Sequence, residues 1–252
     1  MKRTAFVVLA LVMIVSLGSC SYLKPKGKLP KSKFIKEEWK AINHSDWPMF
    51  HHDVLHTGFN PKEKTLKPPL RVKWKTKKGG ATVAPAVAQG IVYIEGFERV
   101  ENVDSLIAID AKTGKRLWKF LAQGPILSSP AIHKGTAYIG SNDHNLYALD
   151  AKTGRKKWSY DAGSWVESPP IVFNNKIYFG SLRYTVRALD ENSAQQIWSY
   201  KTADWVVCSP TLANRMVYFG DGNGRVYAAD RETGQRLWVF KTNDRINASL
   251  SS

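Results

Sequence analysis

The chain repeats one phrase at an interval of forty residues. The four copies read "AIDAKTGKRLW", "ALDAKTGRKKW", "ALDENSAQQIW" and "AADRETGQRLW", and they end at Trp118, Trp158, Trp198 and Trp238. A fixed period of this length is typical of repeat architectures, in which each unit buries its apolar face against its neighbour. We therefore predict a repeat fold with one unit per forty residues.

Within one unit the pattern indicates short antiparallel strands. "PAIHKG", "TAYIGS", "NLYALD" and "RKKWSYD" alternate apolar with polar positions and are separated by turn residues. Gly154 is expected to need a positive φ, and Asp150 is expected to accept backbone N–H bonds across the turn. Four strands in about forty residues correspond to one blade of a β-propeller.

We predict an all-β fold, a β-propeller of about four four-stranded blades plus a partial one. The propeller domain is expected at residues 46–252, with blades at roughly 82–120, 127–160, 167–200 and 207–240. "WVFKTNDRINASLSS" begins a further unit, so we expect an incomplete ring. A truncated ring is favoured over a small strained ring or an oligomer formed through open ends.

The phrase A-x-D-x-x-x-G-x-x-x-W resembles the tryptophan-docking motif of the pyrroloquinoline quinone (PQQ) repeat propellers. In that family the tryptophan packs against the Ala and Gly of a neighbouring blade's turn. The third copy has Ala194 in the glycine position, which puts its turn conformation in question. The resemblance implies a structural docking role for Ala108, Asp110, Gly114, Trp118, Ala148, Asp150, Gly154, Trp158, Ala188, Asp190, Trp198, Ala228, Asp230, Gly234 and Trp238.

The PQQ enzymes of this fold hold Ca²⁺ through Glu, Asn and Asp, use a catalytic Asp and often carry two adjacent cysteines. Here the two cysteines are Cys20 and Cys208, which are far apart in the chain. We therefore predict no catalytic residue, no bound metal and no PQQ. A PQQ-dependent redox enzyme, or a cofactor-binding remnant of one, is kept as an alternative.

Two local patterns suggest metal ligands. "WPMFHHDVLHTGF" places His52 and His56 four residues apart, a spacing that brings two imidazoles together on a helix. Asp221 and Asn223 resemble the start of a calcium loop, but no glutamate follows at the required position. A structural segment before the repeats and a strand-to-strand turn are the favoured interpretations.

The first residues have the pattern of an export signal. An apolar run of thirteen residues, Ala5 to Leu17, is too short for the roughly 18–20 residues of a membrane span. It ends in "LGSC", which resembles the lipobox of bacterial lipoproteins. The resemblance implies a signal peptide at residues 1–19, a covalent lipid on Cys20 and, because Ser21 follows, an outer-membrane location.

The segment 20–45 is basic, with seven Lys against two Glu between positions 24 and 40. Its Pro, Gly and Lys content indicates a flexible tether that anionic headgroups would attract. The whole chain has a net charge of +16. Nucleic acid is the other usual partner of basic chains. We predict none, because no such motif is present and an exported protein rarely meets it.

Among lipid-anchored propellers the chain is similar to the B-subunit lipoproteins of the β-barrel assembly machinery. That resemblance implies a non-catalytic scaffold that faces the periplasm and binds protein partners, with β-barrel assembly components among them. A surface adhesion or sensor propeller is a further alternative. Trp165 and Trp205 lie outside the phrase, and we expect an inter-blade contact or, less favoured, a ligand-stacking pair.

Overall fold

The computed structural model describes residues 48–49, 72, 74–75, 83–98 and 103–249. Every regular element in these ranges is a β-strand, and the sixteen strands form four antiparallel sheets of four strands each. The predicted all-β fold of four-stranded units is confirmed. The expected signal peptide, Cys20, the basic tether and the histidine pair lie outside the described residues. No described segment is a helix able to cross a membrane.

The strands follow the repeat. The first sheet comprises β1 (Ala86–Ala88), β2 (Ile91–Glu98), β3 (Val103–Asp110) and β4 (Arg116–Leu121). The second comprises β5 (Ala131–His133), β6 (Thr136–Gly140), β7 (Asn145–Asp150) and β8 (Lys156–Asp161). The third comprises β9 (Ile171–Phe173), β10 (Lys176–Ser181), β11 (Thr185–Asp190) and β12 (Gln196–Lys201). The fourth comprises β13 (Thr211–Ala213), β14 (Met216–Gly220), β15 (Arg225–Asp230) and β16 (Arg236–Lys241).

Two-residue turns join the first and second strands of each sheet. In the second sheet Lys134 and Gly135 both have positive φ, 44° and 73°, and His133 pairs directly with Thr136. A two-residue loop with both angles positive has a twist that matches the strands it connects. The other three sheets use the same device at Gln89-Gly90, Asn174-Asn175 and Asn214-Arg215.

The core contains one tyrosine–tryptophan pair in each sheet, at equivalent positions of the four units. Tyr138 in β6 is fully buried, and its ring centroid lies 5.8 Å from that of Trp158 in β8 of the same sheet. The inner strands are buried, whereas the outer strand of each sheet is largely exposed. The equivalent pairs in the other sheets are Tyr93–Trp118, Tyr178–Trp198 and Tyr218–Trp238, each with centroids 5.9 Å apart.

Consecutive sheets are joined near the start of their first strands. The Ser128 hydroxyl donates to the Ser168 carbonyl at 3.3 Å, and the Ser168 hydroxyl donates to the Cys208 carbonyl at 2.8 Å. Ser209 donates from its hydroxyl to the Pro169 carbonyl at 2.8 Å. These bonds connect residues about forty apart, so the repeat period also places the partners of neighbouring sheets side by side.

The first unit has extra residues, which lengthen a hairpin. β2 and β3 pair without interruption from Ile91 opposite Asp110 to Glu98 opposite Val103. Both strands have eight residues, against five and six for β6 and β7 in the second sheet. The first sheet therefore extends further than the others at this end.

Candidate functional site

Each repeated phrase forms a tight turn between the third and fourth strands. The Asp110 carboxylate accepts the N–H groups of Lys112 and Thr113, at 3.1 and 2.6 Å, and the Thr113 hydroxyl at 2.7 Å. These bonds, the one from the Thr113 hydroxyl foremost, hold the pKa of Asp110 below its ordinary value. Gly114 closes the turn at φ 72°. Asp150, Asp190 and Asp230 accept the same three bonds.

The tryptophans of the first and third phrases lie on the turn of the following sheet. Trp118 donates from Nε1 to the Ala151 carbonyl at 3.0 Å, and its ring covers Gly154. A Cβ built on Gly154 would lie 2.6 Å from that ring, so a side chain at this position would clash with the docked indole. The same arrangement joins Trp74 to Ala111 and Gly114, and Trp198 to Arg231 and Gly234.

The third turn keeps its shape without glycine. Ala194 has φ 59°, and its N–H donates to the Asp190 carbonyl at 3.1 Å, as in the other turns. Ala194 carries a methyl group at the position where a Cβ on the equivalent Gly154 would lie 2.6 Å from the docked indole. Trp158, the tryptophan of the preceding sheet, is partly exposed, whereas Trp118 and Trp198 are buried.

The fourth tryptophan has no following turn in the described part of the chain. The Nε1 of Trp238 is buried and has no hydrogen-bond partner among the described residues. Beside it on β16, Val239 and Phe240 are each 43% exposed. The residues equivalent to Phe240 contact the next sheet in the pairs Phe120–Tyr147, Tyr160–Phe179 and Tyr200–Phe219. β16 thus presents an apolar docking face, formed by Trp238 and Phe240, which the described residues leave uncovered.

A charged contact joins the second and third sheets. Glu191 is 6% exposed, and its Oε1 lies 2.6 Å from Nδ1 of His133 and accepts the Tyr138 hydroxyl at 3.0 Å. Burial alone would raise the pKa of Glu191. The hydrogen bond and charge interaction with His133, together with the Tyr138 bond, outweigh burial and lower that pKa from its ordinary value of 4.5.

We expect Glu191→Gln to lower the free energy of unfolding by about 1–2 kcal/mol at neutral pH, because a charge-assisted bond becomes a neutral one. A carboxyl with a lowered folded pKa stabilises the fold above its unfolded pKa and loses that effect as pH falls through the folded value. The difference between wild type and variant should therefore be complete at pH 6 to 7 and vanish in strong acid. Urea unfolding at several pH values measures it, and a difference that does not change with pH would contradict it.

The calcium-like pattern is a strand-to-strand turn. The Asp221 Oδ1 accepts the N–H groups of Asn223 and Arg225, at 3.0 and 2.9 Å, and Oδ2 accepts the Tyr227 hydroxyl at 2.7 Å. The fully buried carboxylate is thus engaged by its own sheet. Within the described ranges no three His, Cys, Asp or Glu side chains come together as a metal site.

The remaining residues singled out in the sequence have separate environments. Trp165 is 47% exposed, whereas the indole of Trp205 packs on Gly222 and lies under the Arg245 guanidinium, 5.6 Å from the ring centroid. The two tryptophans therefore do not form a matched pair. Cys208 is buried, and burial raises the pKa of its thiol to about 11, which leaves it unreactive.

One residue that the sequence analysis did not consider is Arg187. It is 8% exposed on β11, at the position that Tyr147 and Tyr227 occupy in the second and fourth sheets. Comparing the units at the forty-residue step would have found it, since an arginine replaces a tyrosine in an otherwise apolar column.

A family model described as outer membrane protein assembly factor BamB matches residues 70–171 and 163–252. The chain belongs to this family. The resemblance stated from the docking phrase is confirmed. A search of curated proteins found no match.

Solved structures share the fold at low sequence identity. BamB from Moraxella catarrhalis has 23% identity and a TM-score of 0.55 over 68% of this chain and 51% of that one. Quinohemoprotein alcohol dehydrogenase from Comamonas testosteroni has 20% identity and a TM-score of 0.65 over 79% and 41%. A europium-containing methanol dehydrogenase has 14% identity and a TM-score of 0.64 over 81% and 50%. The chain thus spans about half the length of these structures or less, and the similarity shows the fold alone.

The described residues do not fit the PQQ site that the dehydrogenase-like fold implies. That site needs a cluster of oxygen ligands for Ca²⁺, and the described acidic side chains are dispersed. The Sγ of Cys208 is engaged by Gly220, to whose carbonyl it donates at 3.2 Å, so it offers no thiol beside a cofactor.

Proposed function

We propose that the chain is a non-catalytic scaffold of the cell envelope that binds protein partners during outer-membrane protein assembly. The observation that carries this proposal is the match of residues 70–171 and 163–252 to the family described as outer membrane protein assembly factor BamB. The aspartates of the repeated turns accept hydrogen bonds from those turns, which supports a structural use of these carboxylates.

The fold suits a scaffold because docked indoles and hydrogen bonds join its sheets, while the outer strands of the sheets stay largely exposed. Outer strands can add an extended segment of another protein through main-chain hydrogen bonds. On β8 the exposed Lys156 and Lys157 discourage such pairing, since charged edge residues oppose it. The equivalent position of β4, β12 and β16 carries Leu117, Ile197 and Leu237, which are 50%, 42% and 52% exposed, so we assign apolar partner segments to these outer strands.

The expected anchor completes the proposal. A lipid on Cys20 and the basic segment 20–45 would hold the propeller at the outer membrane, facing the periplasm. Two attachment signals, acyl chains and a basic segment, give a stable membrane association where one chain alone gives a weak one.

Affinity capture of the full, lipidated chain from gently solubilised envelopes tests the scaffold function, with the bound proteins identified by mass spectrometry. Recovery of β-barrel assembly components is expected. The matched control is a protein in which residues 1–45 precede an unrelated soluble domain, because it keeps the anchor and removes the propeller. Equal recovery with the control, or no assembly components with the full chain, would reject the proposal.

A redox enzyme is the second candidate, favoured by the similarity to quinohemoprotein alcohol dehydrogenase at a TM-score of 0.65. Titration of the purified chain with PQQ and Ca²⁺ separates the two candidates. Saturable binding of one PQQ per chain would replace the scaffold proposal, and the scaffold predicts no saturable binding.

A further inference from the structure

The third sheet differs from its neighbours at the turn between its second and third strands. In the second and fourth sheets a tyrosine hydroxyl donates to an aspartate of this turn: Tyr147 to Asp143 at 2.6 Å, and Tyr227 to Asp221 at 2.7 Å. At the corresponding positions the third sheet has Arg187 for the tyrosine, and Arg183 and Ser181 for the aspartates. One carboxylate has therefore been lost and two cations gained.

Arg187 is a buried cation that only neutral oxygens contact. Its Nη1 donates to the hydroxyls of Ser181, at 3.0 Å, and Thr185, and its Nη2 donates to the Ala162 carbonyl at 3.1 Å. It makes no ion pair with any residue that the structure describes. Burying a guanidinium without a counter-ion costs free energy, which an anion held nearby would recover.

The residues around Arg187 form the wall of an open groove with a volume of ≈ 510 Å³. Thr185, which accepts a bond from Arg187, lines this groove together with Gly163, Arg183, Tyr184 and Lys201. A Cβ on Gly163 would lie 2.4 Å from Nη1 of Arg183, so the guanidinium lies directly over this glycine. The side chains of Arg183 and Lys201 are exposed and, like Arg187, have no ion pair among the described residues.

One carboxylate lies near the groove: the charge of Asp161 attracts the Arg187 guanidinium, but it forms no ion pair with any of these cations. Asp161 is exposed and accepts the Gly163 N–H at 2.7 Å, which directs it to the loop backbone. Tyr184 is 42% exposed and has φ 61°, where the fourth sheet has Gly224. An aromatic residue in this conformation is uncommon, and Tyr184 lines the same groove as Arg183 and Lys201.

We propose that this groove of the third sheet binds an oxyanion, the phosphate or carboxylate group of a ligand, between Arg183 and Lys201, with the charge of the buried Arg187 behind Thr185 adding to the attraction. Planar guanidinium groups recognise both oxyanions through paired, charge-assisted hydrogen bonds. The site is independent of the proposed scaffold function, since it rests on groups that the docking contacts do not use.

Calorimetric titration of the full chain at constant ionic strength tests the site, with inorganic phosphate in one arm and acetate in the other. Saturable binding of one anion per chain is expected in at least one arm, and the tighter arm identifies the anion as phosphate-like or carboxylate-like. Arg183→Ala combined with Lys201→Ala removes two exposed cations and should weaken binding about tenfold or more.

Two further variants make the result decisive. Lys152→Ala with Arg155→Ala removes two cations from an exposed turn of the second sheet and should leave the affinity unchanged. Arg183→Asp with Arg187→Tyr installs the tyrosine–aspartate pair of the second sheet, so it should fold and abolish binding. No saturation in either arm, or equal weakening by the Lys152 and Arg155 variant, would overturn the proposal.

Discussion

Replacing Trp118 with alanine is expected to lower the free energy of unfolding by about 3–5 kcal/mol. The indole is 9% exposed between the first and second sheets, and its Nε1 donates to the Ala151 carbonyl at 3.0 Å. Truncation leaves a cavity between the sheets and removes the donor from a buried carbonyl. Urea unfolding followed by circular dichroism measures the change without relying on tryptophan fluorescence.

The neighbouring residue provides a matched control for this variant. Leu117 precedes Trp118 on β4 and is 50% exposed, so Leu117→Ala should change the free energy of unfolding by no more than about 0.5 kcal/mol. Similar losses in the two variants would show that the contact between sheets does not depend on the docked indole.

The second large effect that we expect is that of Gly154→Ala, which should lower the free energy of unfolding by about 2–3 kcal/mol. The residue has φ 72°, a conformation that costs an L-residue with a Cβ roughly 1–2 kcal/mol. The added methyl would also lie 2.6 Å from the Trp118 ring, and relieving such overpacking typically costs about 1–3 kcal/mol. The lower entropy of the unfolded alanine chain offsets about 0.4–1 kcal/mol of this. Urea unfolding measures the sum.

The reverse substitution, alanine to glycine, can be made in the third turn. Ala194 already has φ 59°, and Trp158 of the preceding sheet is partly exposed. Ala194→Gly should therefore stabilise the chain by about 0.5–1 kcal/mol, because relief of the left-handed alanine exceeds the entropy that glycine adds to the unfolded chain. If Ala194→Gly destabilises the chain as Gly154→Ala does, the backbone and packing argument for this turn is wrong.

The strands and turns were predictable because their causes are local. The alternation of apolar and polar side chains predicted the strands, and the glycine of the phrase predicted the turn. Gly154 in this turn has φ 72°. Ala194 shows that this signal has limits. Its turn keeps the same form through the hydrogen bonds that Asp190 accepts, so the aspartate suffices where glycine is missing.

The candidate sites were less predictable because they depend on residues far apart in the chain. Glu191 reads as an ordinary charged turn residue, yet it is buried against His133, fifty-eight positions earlier. In the sequence Arg187 looks like the polar position of a strand, and only the fold brings it to the carbonyl of Ala162. Asp221 was weighed as a metal ligand, and its own turn proved to engage both of its oxygens.

The period of forty, the polar and apolar alternation and the phrase around each tryptophan were enough to define the unit and its family, because one unit folds through contacts between residues close in sequence. Only the tertiary structure decided which side chains meet between units. It buried Trp118 on the turn of the next sheet and enclosed Arg187 without an ion pair among the described residues. These outcomes depend on how neighbouring sheets cover one another, which local pattern does not encode.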